Sequence, residues 1–342
     1  MKQMISSVDD LEDLLSTPSD TMVKEIARIT GDILILGVGG KMGPSLAKLA
    51  KRAIKAAGIK KRIIGVSRFS EPGLRQELEK EGIETIAIDL LDDPQLQSLP
   101  EVENIIYMAG KKFGTTGQEH FTWAMNTYLP GRVAEKFKTS RIVVFSSGNI
   151  YPFVSYGSGG ADEGMAPEPK GEYAQSCLGR ERIFQYFSHL HQIPMVLYRL
   201  NYAVDLRYGN LLEIAQMVQE NREIDLNNGH MNVIWQGDAN EIALRSLLIC
   251  STPAKILNVT GPETISIKWL ANEFGKLLGK TPLFKNQEES FTLLNNSSRS
   301  FRLFGYPKVS LGEMIEMTAH WVKIEGETLN KPTHFQERTG KF

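Results

Sequence analysis

Three glycines at three-residue spacing, Gly37, Gly40 and Gly43, follow the apolar run Ile33, Leu34, Ile35, Leu36 and precede Pro44, where a helical pattern begins. Glycine at these points lets backbone N–H groups come close to an anion that any Cβ would hold off. Gly37 permits the turn, Gly40 the close approach and Gly43 the packing of helix on strand. The helix dipole and the unpaired N–H groups of its first turn then favour negative charge. The chemistry to expect is the binding of a dinucleotide diphosphate, with Lys41 and Met42 lining the turn between the glycines. A turn that uses glycine for shape alone is the bland alternative, and the order strand, turn, helix argues against it.

The second apolar run ends Gly65-Val66-Ser67-Arg68. A dinucleotide fold that prefers NAD places Asp or Glu there, on the ribose diol. Ser67 and Arg68 would instead donate to a 2′-phosphate and pair with it, so NADP is the expected cofactor, with NAD as the other form. A solvated loop arginine is the plain alternative.

Such residues need a scaffold, and the pattern supplies one. Apolar runs at 33–36, 62–66, 85–88, 104–108, 141–145, 195–200 and 256–259 alternate with helical periodicity, the signature of an α/β protein with a doubly wound, Rossmann-like parallel sheet. The expected organisation is an N-terminal helical extension over 1–30, a dinucleotide-binding domain over 31–204, and a smaller C-terminal substrate lobe over 205–342 that returns one strand near 256–259. In the extension, Ser7 and Asp10 have capping-box spacing and Ser19 or Asp20 recaps the chain after Pro18. A packing role or a subunit contact is expected for it.

A formal net charge of −1 over 342 residues offers no basic surface for nucleic acid or an anionic membrane. No 18-residue apolar run and no signal-peptide order occur, so a cytoplasmic protein is expected. Cys177 and Cys250 are read as reduced, and no HExxH or paired Cys motif suggests a metal.

Several motifs in order resemble the extended short-chain dehydrogenase/reductase family, the NAD(P)-dependent epimerases and dehydratases. They are the three glycines, Asp89-Leu90 after the third strand, Met108-Ala109-Gly110 after the fourth, Asn126, and the stretch from Phe145 to Tyr151. Asn258-Val259-Thr260-Gly261 and the segment from Phe304 to Leu311 extend the likeness to about residue 323. The resemblance implies that Asp89 and Leu90 flank the adenine, that Ala109 and Gly110 line the cofactor, and that Ser147 and Tyr173 face the reacting carbon of a small hydroxylated, sugar-like substrate. Hydride transfer at a carbon bearing oxygen needs a proton donor or acceptor on that oxygen and a second hydrogen-bonding partner, and a tyrosine and a serine meet that need. Ser147 as a structural cap is the plainer reading. Helices around Asn126 and Tyr173 commonly pair between subunits in this family, which implies a homodimer.

The sequence departs from the family at one telling position. The pattern Tyr-x-x-x-Lys is here Tyr173 to Cys177, so the cation that holds the nicotinamide ribose and lowers the tyrosine pKa is missing. The positive nicotinamide alone, another cation such as Arg180 or Lys111, or weakened redox turnover are the three accounts. The last would leave a non-catalytic NADP-binding sensor or partner-binding protein. Gly148 and Asn149 replace the Asp-Glu pair of the sugar-nucleotide dehydratases, and no arginine precedes the segment 231–238 to take a sugar-linked diphosphate, although Arg207, Arg222 or Arg245 could serve. Arg199 and Asn201, ending the sixth strand, are carried over as cofactor- or substrate-side residues. Glu163 is either a loop anchor or an acid.

Overall fold

The computed structural model describes residues 5–112, 114 and 116–340, so the outermost residues of both terminal units lie outside it. Seven strands, β1 (Ile33–Leu36), β2 (Ile63–Ser67), β3 (Glu84–Ala87), β4 (Asn104–Tyr107), β5 (Arg141–Ser147), β6 (Met195–Leu200) and β7 (Lys255–Val259), correspond to the expected apolar runs. They form one sheet in the order β7-β6-β5-β4-β1-β2-β3, every neighbouring pair parallel. Parallel strands need crossover connections, and helices on both faces bury the central strands, so β1 is apolar throughout, whereas the edge strand β3 keeps Glu84 exposed. Ile33 and Ile35 look to one face, where Leu46, Leu49 and Ala53 of the helix Gly43–Ala56 cover them. Leu34 and Leu36 look to the other, beneath Val133 and Phe184. The strand order reverses between β1 and β4, the place where an open α/β sheet leaves a crevice.

The N-terminal segment joins the two halves of the molecule. Ser7 caps the helix Val8–Ser16 through a full capping box, and Ser19 caps Asp20–Ile26. Leu11 and Leu15 enter the core of the C-terminal part, whereas Met22 and Ile26 pack on the sheet face under the glycine-turn helix. The C-terminal part has its own core around the helices Asn210–Gln219, Ile267–Leu278 and Leu311–Lys323, with Phe274 and Trp321 fully enclosed.

After Lys323 the chain runs without helix or strand over 326–340 and straps the molecule. Leu329 donates its N–H to the Arg207 carbonyl at 2.9 Å, and Thr333 gives both its N–H and its hydroxyl to Glu213. Phe335 is buried in the C-terminal core, and its carbonyl accepts from Asn228. Arg338 donates to the carbonyls of Asn227 and Phe291, and the Gly340 carbonyl lies so close to Gly171 that a Cβ there would sit 2.1 Å from it.

Candidate active site

At the crevice, a cavity of about 760 Å³ runs from the glycine turn across the ends of β4, β5 and β6 to the strap. Gly37 has φ +90°, and a Cβ on it would stand 2.7 Å from the Ala109 nitrogen, so the turns after β1 and β4 touch only because Gly37 has no side chain. A Cβ on Gly43 would meet the Val38 carbonyl at 2.2 Å, which locks helix against strand. Gly40 differs: only the Gly37 carbonyl, at 3.3 Å, lies near its missing Cβ, and the open side belongs to the cavity. The helix Gly43–Ala56 has no side-chain cap; the Gly43 N–H donates to the Gly40 carbonyl at 3.1 Å and Pro44 has no N–H, so the Ser45 N–H is the donor of that turn left for an anion among the described residues. Cradle and uncapped helix together fit a dinucleotide diphosphate.

Lys41 extends from this turn toward the C-terminal part, donating to the Ala203 carbonyl at 3.0 Å and lying 4.0 Å above the Tyr208 ring. Burial pushes its ammonium down to about 8, with Asp205 opposing the fall and Lys112 adding to it. Lys112, which the motif reading passed over, lines the same cavity, and burial likewise takes it down to about 8. Lys331 and His334 of the strap complete a lining that contains no carboxylate among its described residues.

Ser147 ends β5 and Tyr173 sits in the first turn of the helix Gly171–His191, and both face the cavity. Their side chains are hydrogen-bonded to each other. The Ser147 hydroxyl also accepts from the Asn149 N–H at 3.1 Å, so the serine caps a turn and faces the cavity at once. Burial raises the Tyr173 phenol, the adjoining Cys177 adds to the rise, and Arg180 and Ser147 oppose it. Cys177 is fully enclosed, not exposed to the cavity. Asn201 lines the cavity and donates to Asn232 at 3.0 Å.

Asn126 lies in a π-helical turn, Ala124–Tyr128, and is fully buried. Its amide oxygen accepts from the Lys111 N–H and from Arg180, and its amide nitrogen donates to the Lys111 carbonyl and the Ser176 hydroxyl. It thereby fixes the Gly110 loop to the Tyr173 helix.

Ser67 lies under the glycine turn, its hydroxyl 2.4 Å from where a Gly39 Cβ would be, while Arg68 is exposed just beyond it. Asp89 accepts from the Leu91 N–H at 3.0 Å beside the buried Leu90. Ser67, Asp89 and Leu90 thus follow the carboxyl ends of β2 and β3, the side on which the glycine turn also lies.

Arg199 requires a correction. Side chains alternate along β6, and Arg199 shares with Leu197 the face covered by the helix Gly171–His191. It makes a bidentate pair with Glu181, at 2.9 and 2.7 Å, and donates to the Tyr151 hydroxyl, so it braces the sheet against the helix and does not line the cavity. The three arginines considered for a diphosphate are each in an ion pair, Arg207 with Glu12, Arg222 with Glu220 and Arg245 with Glu25. The Lys111 ammonium rests over the Phe121 ring. Glu163 accepts from the Asn258 N–H at 3.0 Å and is a loop anchor. No cluster able to hold a metal occurs among the described residues, nor any helix long and apolar enough to cross a membrane.

No protein-family model and no curated protein matches the sequence. Solved structures match the fold. UDP-glucuronic acid 4-epimerase from Bacillus cereus, in complex with NAD, has 19% identity and a TM-score of 0.69, over 85% of this chain and 98% of its own. UDP-glucose 4-epimerase from Thermus thermophilus, also with NAD, has 16% identity and a TM-score of 0.68, over 85% and 99%. UDP-glucose 4-epimerase from Thermotoga maritima, with UDP-glucose, has 15% identity and a TM-score of 0.66, over 85% and 98%. At these identities the likeness is one of fold: a Rossmann-like α/β architecture shared with sugar-nucleotide epimerases.

Proposed function

We propose that the protein is a nicotinamide-dinucleotide-dependent oxidoreductase or epimerase-type enzyme acting by hydride transfer on a small hydroxylated, sugar-like substrate. The observation that carries this reading is the meeting of Ser147 and Tyr173 in a cavity that opens from the glycine turn. The dinucleotide, when bound, supplies or accepts the hydride. The chain's own part is to hold the diphosphate at the Gly37 to Gly43 turn, orient the substrate oxygen with the Ser147 hydroxyl, and move a proton at the Tyr173 phenol oxygen. A phenol that burial keeps neutral is suited to give its proton to a developing alkoxide, so reduction of a carbonyl is the easier direction.

Ser67 and Arg68 favour NADP over NAD, although the Bacillus cereus and Thermus thermophilus structures of like fold hold NAD. A homodimer through the helices bearing Asn126 and Tyr173 belongs to the same reading. Cys177, enclosed where a cation would aid turnover, favours the second reading, a nucleotide-binding protein without redox turnover. Calorimetry with NADP⁺ and NAD⁺, followed by a screen of sugars and sugar acids for absorbance change at the reduced nicotinamide band, tests both. Dinucleotide binding without turnover on any of them supports the second reading, and absence of dinucleotide binding overturns both.

A further inference from the structure

Four successive strap residues, Lys331, Pro332, Thr333 and His334, form one wall of the cavity that also holds Ser147 and Tyr173. The strap is fixed there on both sides. Thr333, 4% exposed, gives its N–H to Glu213 at 2.9 Å, and Phe335, 2% exposed, is sunk in the C-terminal core. Farther along, the Arg338 guanidinium lies 4.6 Å over the Phe153 ring. A Cβ on Gly340 would stand 2.7 Å from the Cα of Gly171, the first residue of the Tyr173 helix. A segment anchored at so many points is a standing wall of the site, and its side chains take part in choosing what binds.

That wall adds positive charge to a cavity already rich in it. Lys331 is exposed at the rim, Lys41 and Lys112 are half-buried in the same lining, and no carboxylate occurs among the described lining residues. The acids close by are engaged elsewhere. Asp205 accepts from the N–H groups of Arg207 and Tyr208 at 2.9 and 2.8 Å, Glu213 takes Thr333, and the strap's own Glu337 borders a separate cavity of about 30 Å³. Like charges gathered in one concavity repel one another and draw anions in. The glycine turn accounts for one anion, a dinucleotide diphosphate, next to Lys41. Lys331 comes from a different segment and offers a cation to a second one. The arginines considered for a sugar-linked diphosphate are all in ion pairs, so that second charge belongs to the substrate itself.

We propose that the substrate carries its own anionic group, a carboxylate or a phosphate, and that Lys331 of the strap selects for it. The inference rests on the proposed function, in which Ser147 and Tyr173 meet the reacting oxygen of a small hydroxylated substrate in this cavity. The anionic end then lies against the strap. Pro332 and the buried Thr333 fix the backbone beside Lys331, so the ammonium is presented from a firm base. A lysine is a compact point charge that serves a carboxylate or a phosphate equally, and the two sources are told apart by the probes below.

The test is calorimetry on the full chain saturated with NADP⁺ or NAD⁺, whichever binds more tightly, titrated at fixed ionic strength with D-glucuronate, glucose 6-phosphate and D-glucose. One of the two anionic sugars should bind about tenfold or more tightly than glucose. A preference for glucuronate identifies a carboxylate, and one for glucose 6-phosphate a phosphate. Lys331→Met should remove the difference and Lys331→Arg should retain most of it. Because Lys331 is exposed, both variants should keep the wild-type melting temperature and dinucleotide affinity. Equal binding of the three sugars, no binding of either anionic sugar, an anionic preference that survives in Lys331→Met, or UDP-glucose bound more tightly than either anionic sugar would each overturn the proposal. Absence of dinucleotide binding refutes the proposed function and this inference with it, whereas a bound dinucleotide without anionic preference refutes this inference alone.

Discussion

Glu12, from the N-terminal segment, pairs at 2.8 Å with Lys48, from the helix that follows the glycine turn. The other oxygen of the same carboxylate takes Arg207 from the C-terminal part at 2.6 Å, so one side chain ties three pieces of chain together. The N-terminal segment is therefore part of the frame around the cavity.

Removing residues 1–29 should lower the melting temperature and leave dinucleotide affinity within about threefold, because no described residue of that segment lines the cavity. Glu12→Gln should cost roughly 1 to 3 kcal/mol, since Lys48 is 4% exposed and loses one of its two partners. Burial raises the Glu12 carboxyl, but Lys48 and Arg207 together hold it below the usual range. Its contribution is thus present above the unfolded carboxylate pKa and lost as pH falls through the lower, folded value. Thermal melts between pH 7 and 3 check this, and an acid sensitivity identical in wild type and Glu12→Gln would count against it.

Gly37→Ala should abolish dinucleotide binding. The positive φ costs an L-residue roughly 1 to 2 kcal/mol, and the new methyl would press on the Ala109 backbone. Gly40→Ala, whose methyl would enter the open side of the turn, should weaken binding while leaving the melting temperature near wild type. Calorimetry and melting on both variants separate a lost fold from a blocked site.

NADPH should bind about ten- to a hundredfold more tightly than NADH if Arg68 meets the 2′-phosphate, since a charge-assisted hydrogen bond is worth roughly 1.5 to 3 kcal/mol. Arg68→Ala should erase the difference without changing NADH affinity. Equal affinities in the wild type would dismiss the phosphate role.

Lys41 is charged below about 8 and neutral above it, so an attraction between its ammonium and a bound phosphate should fade as pH rises through that value. Dinucleotide affinity measured at pH 7 and pH 9 should fall in the wild type and change less in Lys41→Met. Lys112, also near 8, contributes to the same window, and the double variant should be nearly flat.

Tyr173→Phe should lower turnover by roughly two to four orders of magnitude, with dinucleotide affinity nearly unchanged. Alcohol oxidation by the wild type should rise toward alkaline pH as the phenol ionises, and Cys177→Lys should bring that rise to lower pH. Full turnover by Tyr173→Phe would remove the phenol from the mechanism.

Much of this was legible beforehand because it depends on local chain chemistry. Fully buried parallel strands read as apolar runs, the glycine turn reads from its spacing, and the Ser7 and Asp10 capping box forms as its residues suggest. Arg199 departs from its expected place because strand alternation, not position at a strand end, decides which face a side chain takes. Lys331 and His334 were passed over because the strap has no period: its anchors, Thr333 and Phe335, sit among polar residues and are buried only by tertiary contacts. Lys112 gives no local signal either, since its place depends on the loop that Asn126 holds.

The π-helical turn at Ala124–Tyr128 has a consequence for insertions and deletions. Such a turn carries one residue more than the α-helix around it would need. Deleting a single residue just before Asn126 would regularise the helix and swing that side chain by roughly a hundred degrees, away from Lys111, Ser176 and Arg180 together. A one-residue deletion on this helix would therefore act as three substitutions at once, and a homologue lacking the extra residue would need a different way to hold the Gly110 loop.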